Sequence, residues 1–291
     1  MTDEPKFTVI VPAHNEQTVI RRCLSGILQD APTSHAMEII VAANGCDDDT
    51  VEIARKTAPQ AIVLDLSRGS KTAAINAANQ VATHFPRIVL DADVTCSYGT
   101  LLALAHALNA NGVMTASPAI TLDLDGSDRF IRAYYRMWMR QPYAQAGAGG
   151  AGCYGLSRTA LQQVGAFPDI IGDDIWIHTR FAEEQKRYLE QDRDGNPVFT
   201  IVRPPRTACE QIRVEARRQL GNKQVLANYP SPHELRSGGS GGLKSAVNNA
   251  SNLFDVSVFL GIKLLARLLA GWNTVTGNDP IWTRDQSSRQ A

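Results

Sequence analysis

The residues best placed to do chemistry are two aspartates, Asp91 and Asp93, in the stretch RIVLDADVT. Three apolar residues read as a buried strand, and the strand then runs into two carboxylates separated only by Ala92. Ionised carboxylates are seldom buried without partners, so the pair belongs where the strand leaves the sheet, which is where α/β sheets bind ligands. Strand residues alternate faces, so aspartates at i and i+2 point the same way and repel unless a cation or a donor neutralises them. A hard divalent ion with oxygen ligands suits the pair. An acidic turn or a helix cap fits the same two residues, so the rest of the chain must decide.

The elements that position them follow a regular alternation. FTVIVPA, EIIVAA, AIVLDL and RIVLDADV are apolar β-type runs; EQTVIRRCLSGILQ, DDTVEIARKTA, SKTAAINAANQVATHF and YGTLLALAHALN are the helical stretches after them. Continuous apolar strands spaced by helices predict a doubly wound α/β core with a mostly parallel sheet flanked by helices. From Gly112 the rhythm changes to a strand, GVMTASPAI, an aromatic and arginine-rich helix, SDRFIRAYYRMWMR, and a glycine and alanine loop, QAGAGGAGCYG, which must either move or approach something closely. The expected organisation is a domain over 5–228, with halves 5–110 and 111–228, a Pro, Ser and Gly-rich linker at 229–243, and a helical extension over 244–291.

Composition narrows the partners. The 291 residues contain 29 Lys plus Arg and 29 Asp plus Glu, so no long-range field recruits nucleic acid. Cys23, Cys46, Cys96, Cys153 and Cys209 are scattered without a C-x-x-C, which fits a reducing cytosol. The start, MTDEPKFTVIVPAHNE, has neither the charge nor the apolar run of a signal peptide, and no stretch reads as a membrane span. The histidines lack ligand spacing; only His14 lies in a motif, where a loop hydrogen bond is expected.

The other strand tips carry groups suited to a nucleotide. The first ends in Pro12-Ala13-His14-Asn15-Glu16, a turn opening a helix whose amides can hold an anion or a base edge. The second ends in Asn44-Gly45-Cys46-Asp47-Asp48-Asp49-Thr50, where Asn44 offers a donor and an acceptor to a base, and Asp48 or Asp49 can cap the next helix. The third ends in Ser67-Arg68-Gly69-Ser70-Lys71, with two cations for a diphosphate.

The ordered series VIVPAHNE, VAANGCDDDT, SRGSKTAAINAA and VLDADV resembles the nucleotide-binding half of the inverting glycosyltransferases of family 2, which have the GT-A fold. The resemblance continues through GCYGLSRTALQQVGAFP, GDDIWIHTR and EQIRVEARRQLG, roughly residues 7 to 221. It implies that Asp93, with Asp91 nearer the ribose or a metal-bound water, binds a donor diphosphate through Mn2+ or Mg2+. It implies further that Asp174 is the base that deprotonates the acceptor hydroxyl, with Asp173 orienting base or acceptor; by itself that pair reads as a helix N-terminus. Pro12, Ala13, Asn15, Glu16, Asn44, Arg68, Lys71 and Ala92 complete the implied donor site, and Arg217 or Arg218 reaches the diphosphate. The implied donor is a nucleoside diphosphate sugar, a UDP-sugar favoured, although Asn44 stands where the family often has the aspartate that contacts uracil. The acceptor that the resemblance implies is a carbohydrate or a lipid-linked molecule, in polysaccharide, glycolipid or lipid-linked glycan synthesis. The terminal Q-x-x-R-W-like motif is degraded, since Gln219 follows the arginines and no tryptophan does.

Two other classes fit some of the same residues. L-D-A-D-V-T also matches the motif of haloacid-dehalogenase-type phosphatases, with Asp91 as nucleophile, although that motif usually lies on a first strand. A non-catalytic scaffold that binds a nucleotide sugar is the third reading.

Leu253 to Trp272 predicts an amphipathic helix with Lys263 and Arg267 on one narrow polar stripe and a terminal Trp272. Such a helix can lie on a membrane, its cations reaching headgroups, or pack against the core or a partner. The expected location is cytoplasmic, and peripheral on the inner face of the plasma membrane where the helix meets a membrane rather than the core or a partner.

Overall fold

FTVIVPA is apolar but for Thr8, whose hydroxyl donates to Glu38 at 2.6 Å, and all seven of its residues are buried in the central strand β1 (Phe7–Ala13). The computed structural model describes residues 5–32, 37–141, 144, 151–233 and 253–276. Its first half alternates β1, α1 (Ile20–Leu28), β2 (Met37–Asn44), α2 (Thr50–Thr57), β3 (Ile62–Leu66), α3 (Lys71–Val81), β4 (Arg87–Leu90), the short β5 (Thr95–Cys96) and α4 (Tyr98–Leu108). Then come β6 (Thr115–Leu122), α5 (Arg129–Trp138), β7 (Cys153–Leu156), α6 (Arg158–Val164), α7 (Asp173–His178), a 3-10 turn at Glu183–Gln185, β8 (Lys186–Leu189), β9 (Phe199–Val202), α8 (Ala208–Asn228) and α9 (Leu253–Thr276).

The sheet runs β3-β2-β1-β4-β7-β6-β9-β5, with β8 paired beside β6. β3, β2, β1 and β4 run parallel to one another, and the order reverses direction at β1, between β2 and β4. That switch opens a crevice beyond the strand ends. β7 is inserted antiparallel to both β4 and β6, and its register sets Leu90 opposite Cys153 and Val89 opposite Tyr154. Helix starts follow local chemistry: the side chains of Ser70, Ser97, Asp128, Ser157 and Thr207 accept the amides of Ala73, Thr100, Ile131, Ala160 and Glu210 to begin α3, α4, α5, α6 and α8.

The expected linker and extension lie partly outside the described residues, at 234–252 and 277–291, as do 145–150 of the glycine and alanine loop and His35. Within α9 the structure corrects one expectation. Lys263 is turned inward onto the buried carboxylate of Glu215, which also accepts the hydroxyl of buried Tyr134 at 3.1 Å. The Lys263 and Arg218 cations hold Glu215 below the usual carboxylate range against the opposing effect of burial. Asp255 is likewise buried and accepts two hydrogen bonds from the Arg136 guanidinium, at 2.6 and 2.7 Å. Phe259, Ile262, Ala266 and Ala270 fill the same seam against α5 and α8, because helical spacing puts them on the face that carries Asp255 and Lys263.

Candidate active site

β4 stops at Leu90, and Asp91 to Val94 form a turn closed by the Val94 amide on the Asp91 carbonyl at 3.1 Å. The two aspartates therefore sit in a turn just past the strand tip, and the turn, not the pleat, brings both to the cleft. Two neighbours brace it. Arg22 of α1 donates to the Asp93 carbonyl at 3.1 Å, and the Asp91 amide donates to the Gly152 carbonyl at 2.8 Å, one step beyond the Leu90 and Cys153 pairing. Gly152 has φ of +57°, and a Cβ there would lie 2.4 Å from Val94 Cγ2 and 3.3 Å from Asp91 Oδ2. The close approach expected of this loop is made at its described end.

Across the cleft, Asp173 and Asp174 open α7. The segment before them is fixed by α3, where Asn76 and Phe167 exchange two hydrogen bonds of 2.8 Å, and by α8, where Gln224 accepts the Ile171 amide at 3.2 Å. Gly221 lets α8 approach, since a Cβ there would stand 3.4 Å from the Gly172 nitrogen.

Lys71, the first residue of α3, joins the two acidic groups. Its ammonium is 2.7 Å from Asp91 Oδ1 and 3.0 Å from Asp173 Oδ1, and Tyr154 donates its hydroxyl to Asp173 Oδ2 at 2.8 Å. Asp173 is buried, and both its oxygens are engaged. Burial alone would disfavour the Lys71 charge, but Asp173 and then Asp91 outweigh it and raise the pKa. Burial pushes Asp91 up to about 6, with Lys71 opposing and the charges of Asp93 and Asp173 adding to the shift. Burial beside Asp173 also raises Tyr154 well above its ordinary value, so its phenol remains a donor. Two carboxylates thus hold one ammonium, with Asp174 acting on it at longer range and the charge of Asp93 acting on Asp91.

The cleft holds about 870 Å³. Pro12, Glu16, Lys71, Asp91, Ala92 and Asp93 line it together with Asp173, Asp174, Arg217 and Arg218. Four residues expected at the donor are placed elsewhere. Asn44 is fully buried, its amide donating to the carbonyls of Ala13 at 2.8 Å and Ala42 at 3.2 Å while its oxygen accepts the Ser70 amide at 3.0 Å. It ties three strand tips together and does not line the cleft. Ala13 is buried as the partner of that amide; Asn15, at φ of +50°, accepts the Asp47 amide at 2.8 Å; and Arg68 is an exposed partner of Asp169 at 2.8 Å. His14 makes its loop hydrogen bond, Nδ1 to the Asn44 carbonyl at 2.6 Å, and lines the cleft. Asp48 braces both Thr50 and the Gln17 amide. Tyr154, Arg22, Asn76 and Asp169 carry no signal in a single sequence, because each acts through a contact far along the chain.

Among the described residues no group of three or more His, Cys, Asp or Glu could hold a metal. Asp91 and Asp93 are hard oxygen donors opening on a cleft, which fits the chemistry of a divalent ion.

A mostly parallel sheet flanked by helices, with a C-terminal helix, matches the fold of the GT-A glycosyltransferases. Residues 8–165, more than half of the chain, match the family Glycosyl transferase family 2, and the protein belongs to that family. No curated protein matches it in sequence. In structure it is similar to a mannosyltransferase from Pyrobaculum calidifontis in complex with GDP-Man and Mn2+, at 21% identity and a TM-score of 0.61, over 99% of this chain and 86% of that one. It is also similar to glucosyl-3-phosphoglycerate synthase from Mycobacterium tuberculosis in complex with Mn2+, UDP and glucosyl-3-phosphoglycerate, at 19% identity and a TM-score of 0.56, over 78% of this chain and 81% of that one. A complex of that synthase with Mg2+ and UDP gives 18% identity and a TM-score of 0.56, over 78% and 80%. Family membership displaces the phosphatase reading, and the aspartate turn follows the fourth strand of the fold rather than the first.

Proposed function

We propose that the enzyme transfers a sugar from a nucleoside diphosphate sugar to an acceptor hydroxyl with inversion, and that Asp174 is the base. One observation carries the reading: the Asp91 and Asp93 turn and the Asp173 and Asp174 pair face one cleft and are joined through Lys71. Asp173 has both oxygens engaged by Lys71 and Tyr154, which suits a group that positions. Asp174 is half-buried, accepts the Ile175 amide through one oxygen at 2.8 Å and lines the cleft. The acceptor oxygen attacks the anomeric carbon as the bond to the diphosphate breaks, its proton passes to Asp174, and the nucleoside diphosphate leaves. Asp91 and Asp93 would hold Mn2+ or Mg2+, which when bound offsets the charge on the diphosphate. Arg217 and Arg218, on α8, add positive charge to the same cleft. The acceptor is a carbohydrate or a lipid-linked molecule, and polysaccharide, glycolipid or lipid-linked glycan synthesis is the setting.

A thermal-shift panel of uridine, guanosine and thymidine diphosphates with and without Mn2+ tests donor binding. Metal-dependent stabilisation by at least one nucleotide is expected, and it should be lost in Asp93→Asn. In Asp174→Asn, nucleotide stabilisation should persist while sugar transfer falls by roughly two orders of magnitude or more. Normal transfer in that variant would remove the base from Asp174.

A further inference from the structure

The two faces of α9 (Leu253–Thr276) differ in what they touch. The inner face carries Asp255, Phe259, Ile262, Ala266 and Ala270 into the seam with α5 and α8. The outer face exposes Leu253, Leu260, Leu264, Leu265, Leu268 and Trp272, with Leu264, Leu268 and Trp272 at 59%, 63% and 66%. Residues 260, 264, 268 and 272 are four apart and form one stripe; from Leu253 to Trp272 the helix runs about 29 Å. Arg267 is exposed on this face, and the helix's acid, Asp255, is buried on the other.

Beside the stripe, α5 (Arg129–Trp138) and the residues just after it expose Arg129, Arg132, Arg136 and Arg140, together with Phe130 and Met139. Asp255 offsets one of these cations. The two surfaces are continuous: the rings of Phe130 and Phe254 lie 5.9 Å apart, and Arg129 stands 6.0 Å from the Phe254 ring. The chain as a whole has no net charge, so this concentration of arginine is local.

We infer that this combined face docks on an anionic membrane surface. The leucine stripe and Trp272 enter the boundary between headgroups and acyl chains, while Arg267 and the arginines of α5 meet anionic headgroups. Lys263, turned inward onto Glu215, takes no part. A second copy of the chain is a poorer occupant, because a two-fold interface would set arginine rows close to each other, whereas anionic lipid complements them. No helix among the described residues is long and apolar enough to cross a membrane, so the contact is one of lying on the surface. Docking of this face is independent of what the cleft does, although α8 connects them, bringing Glu215 to Lys263 and Arg217 to the cleft.

Flotation of the full chain with vesicles of phosphatidylcholine, alone or with about a third phosphatidylglycerol, tests the inference. The wild type should float with the anionic vesicles, less so as salt rises, and remain in the dense fraction with the neutral ones. Leu264→Glu with Leu268→Glu should lower the bound fraction about tenfold or more, and so should Arg129→Gln with Arg132→Gln. The arginine pair leaves the apolar face intact, so it decides the matter if the leucine variant melts early. Wild type left in the dense fraction with anionic vesicles, or flotation unchanged in both variants, would overturn the inference. So would a wild-type dimer that the leucine substitutions split, which would make the face a subunit interface.

Discussion

Tyr154 donates its hydroxyl to the buried carboxylate of Asp173 at 2.8 Å, on the oxygen that Lys71 does not hold. The contact follows from strand register: Tyr154 pairs with Val89, and the chain turns at Asp91 two residues later, so the phenol stands under the junction of the two acidic groups. Removing the hydroxyl leaves one oxygen of a buried anion without its donor.

Tyr154→Phe should therefore cost about 1.5–3 kcal/mol of stability, the usual worth of a hydrogen bond to a charged group. Because Tyr154 acts through Asp173, kcat should fall by roughly tenfold while nucleotide affinity changes little. Calorimetry with nucleoside diphosphate and Mn2+, beside steady-state kinetics, separates the two effects. Lost stability with unchanged kcat would reduce Tyr154 to a packing residue.

Asn44 illustrates where reading a sequence stops. A polar residue at a strand tip, followed by a glycine and an acidic turn, has the types and spacing of a base-binding group, and nothing local says which way it points. The fold decides, by placing the Ala13 and Ala42 carbonyls and the Ser70 amide around one amide side chain. Asn44→Asp turns the donating end into an acceptor facing two carbonyls in a fully buried site. The expected cost is about 2–4 kcal/mol, read from the urea midpoint, with the ranking of nucleoside diphosphates preserved. A changed ranking at full stability would return Asn44 to the base site.

The alternation of apolar strands and helices made the parallel core and the aspartates beyond the fourth strand legible, because burial on both faces and repulsion between carboxylates are local consequences of composition. The antiparallel β7 was not legible, and with it went Tyr154 and Gly152, whose importance lies in register with β4. The amphipathic pattern of α9 was legible, but not its rotation: Lys263 and Arg267 lie four apart, yet the buried Glu215 draws Lys263 inward and leaves Arg267 outside.

Gly152 supplies a sharper test of the acidic turn. Its positive φ disfavours any side chain, and a methyl group would meet Val94 and crowd Asp91. Gly152→Ala should lose about 2 kcal/mol or more and weaken metal-dependent nucleotide binding. Gly112→Ala is the control, since Gly112 also has positive φ, at +77°, but nothing within 4 Å of its added methyl. That variant should carry only the backbone cost and bind nucleotide normally. Equal binding in both variants would mean that Gly152 does not shape the Asp91 turn.

His178 closes α7 and lines the same cleft, and it predicts how stability changes with pH. Lys186 donates to its Nε2 at 3.2 Å, so that nitrogen must be unprotonated and the ring neutral. Burial first, and then the Lys186 charge, lower its pKa to about 4 from 6.5, with Glu183 opposing. As pH falls below 6.5 the unfolded chain takes up a proton at this ring, while the native ring resists until about pH 4. Stability is therefore intact above the unfolded value and lost as pH falls through this window. Between about pH 7 and pH 5 the loss should be about 1–2 kcal/mol. Asp91, raised to about 6, titrates in the same range with the opposite sign: its native form binds a proton more readily than the unfolded one, so it favours the fold as pH falls. Comparing wild type with His178→Gln by urea unfolding at both pH values cancels that contribution. The wild type should lose more stability than the variant on acidification, and equal losses would show that His178 is not held neutral by Lys186.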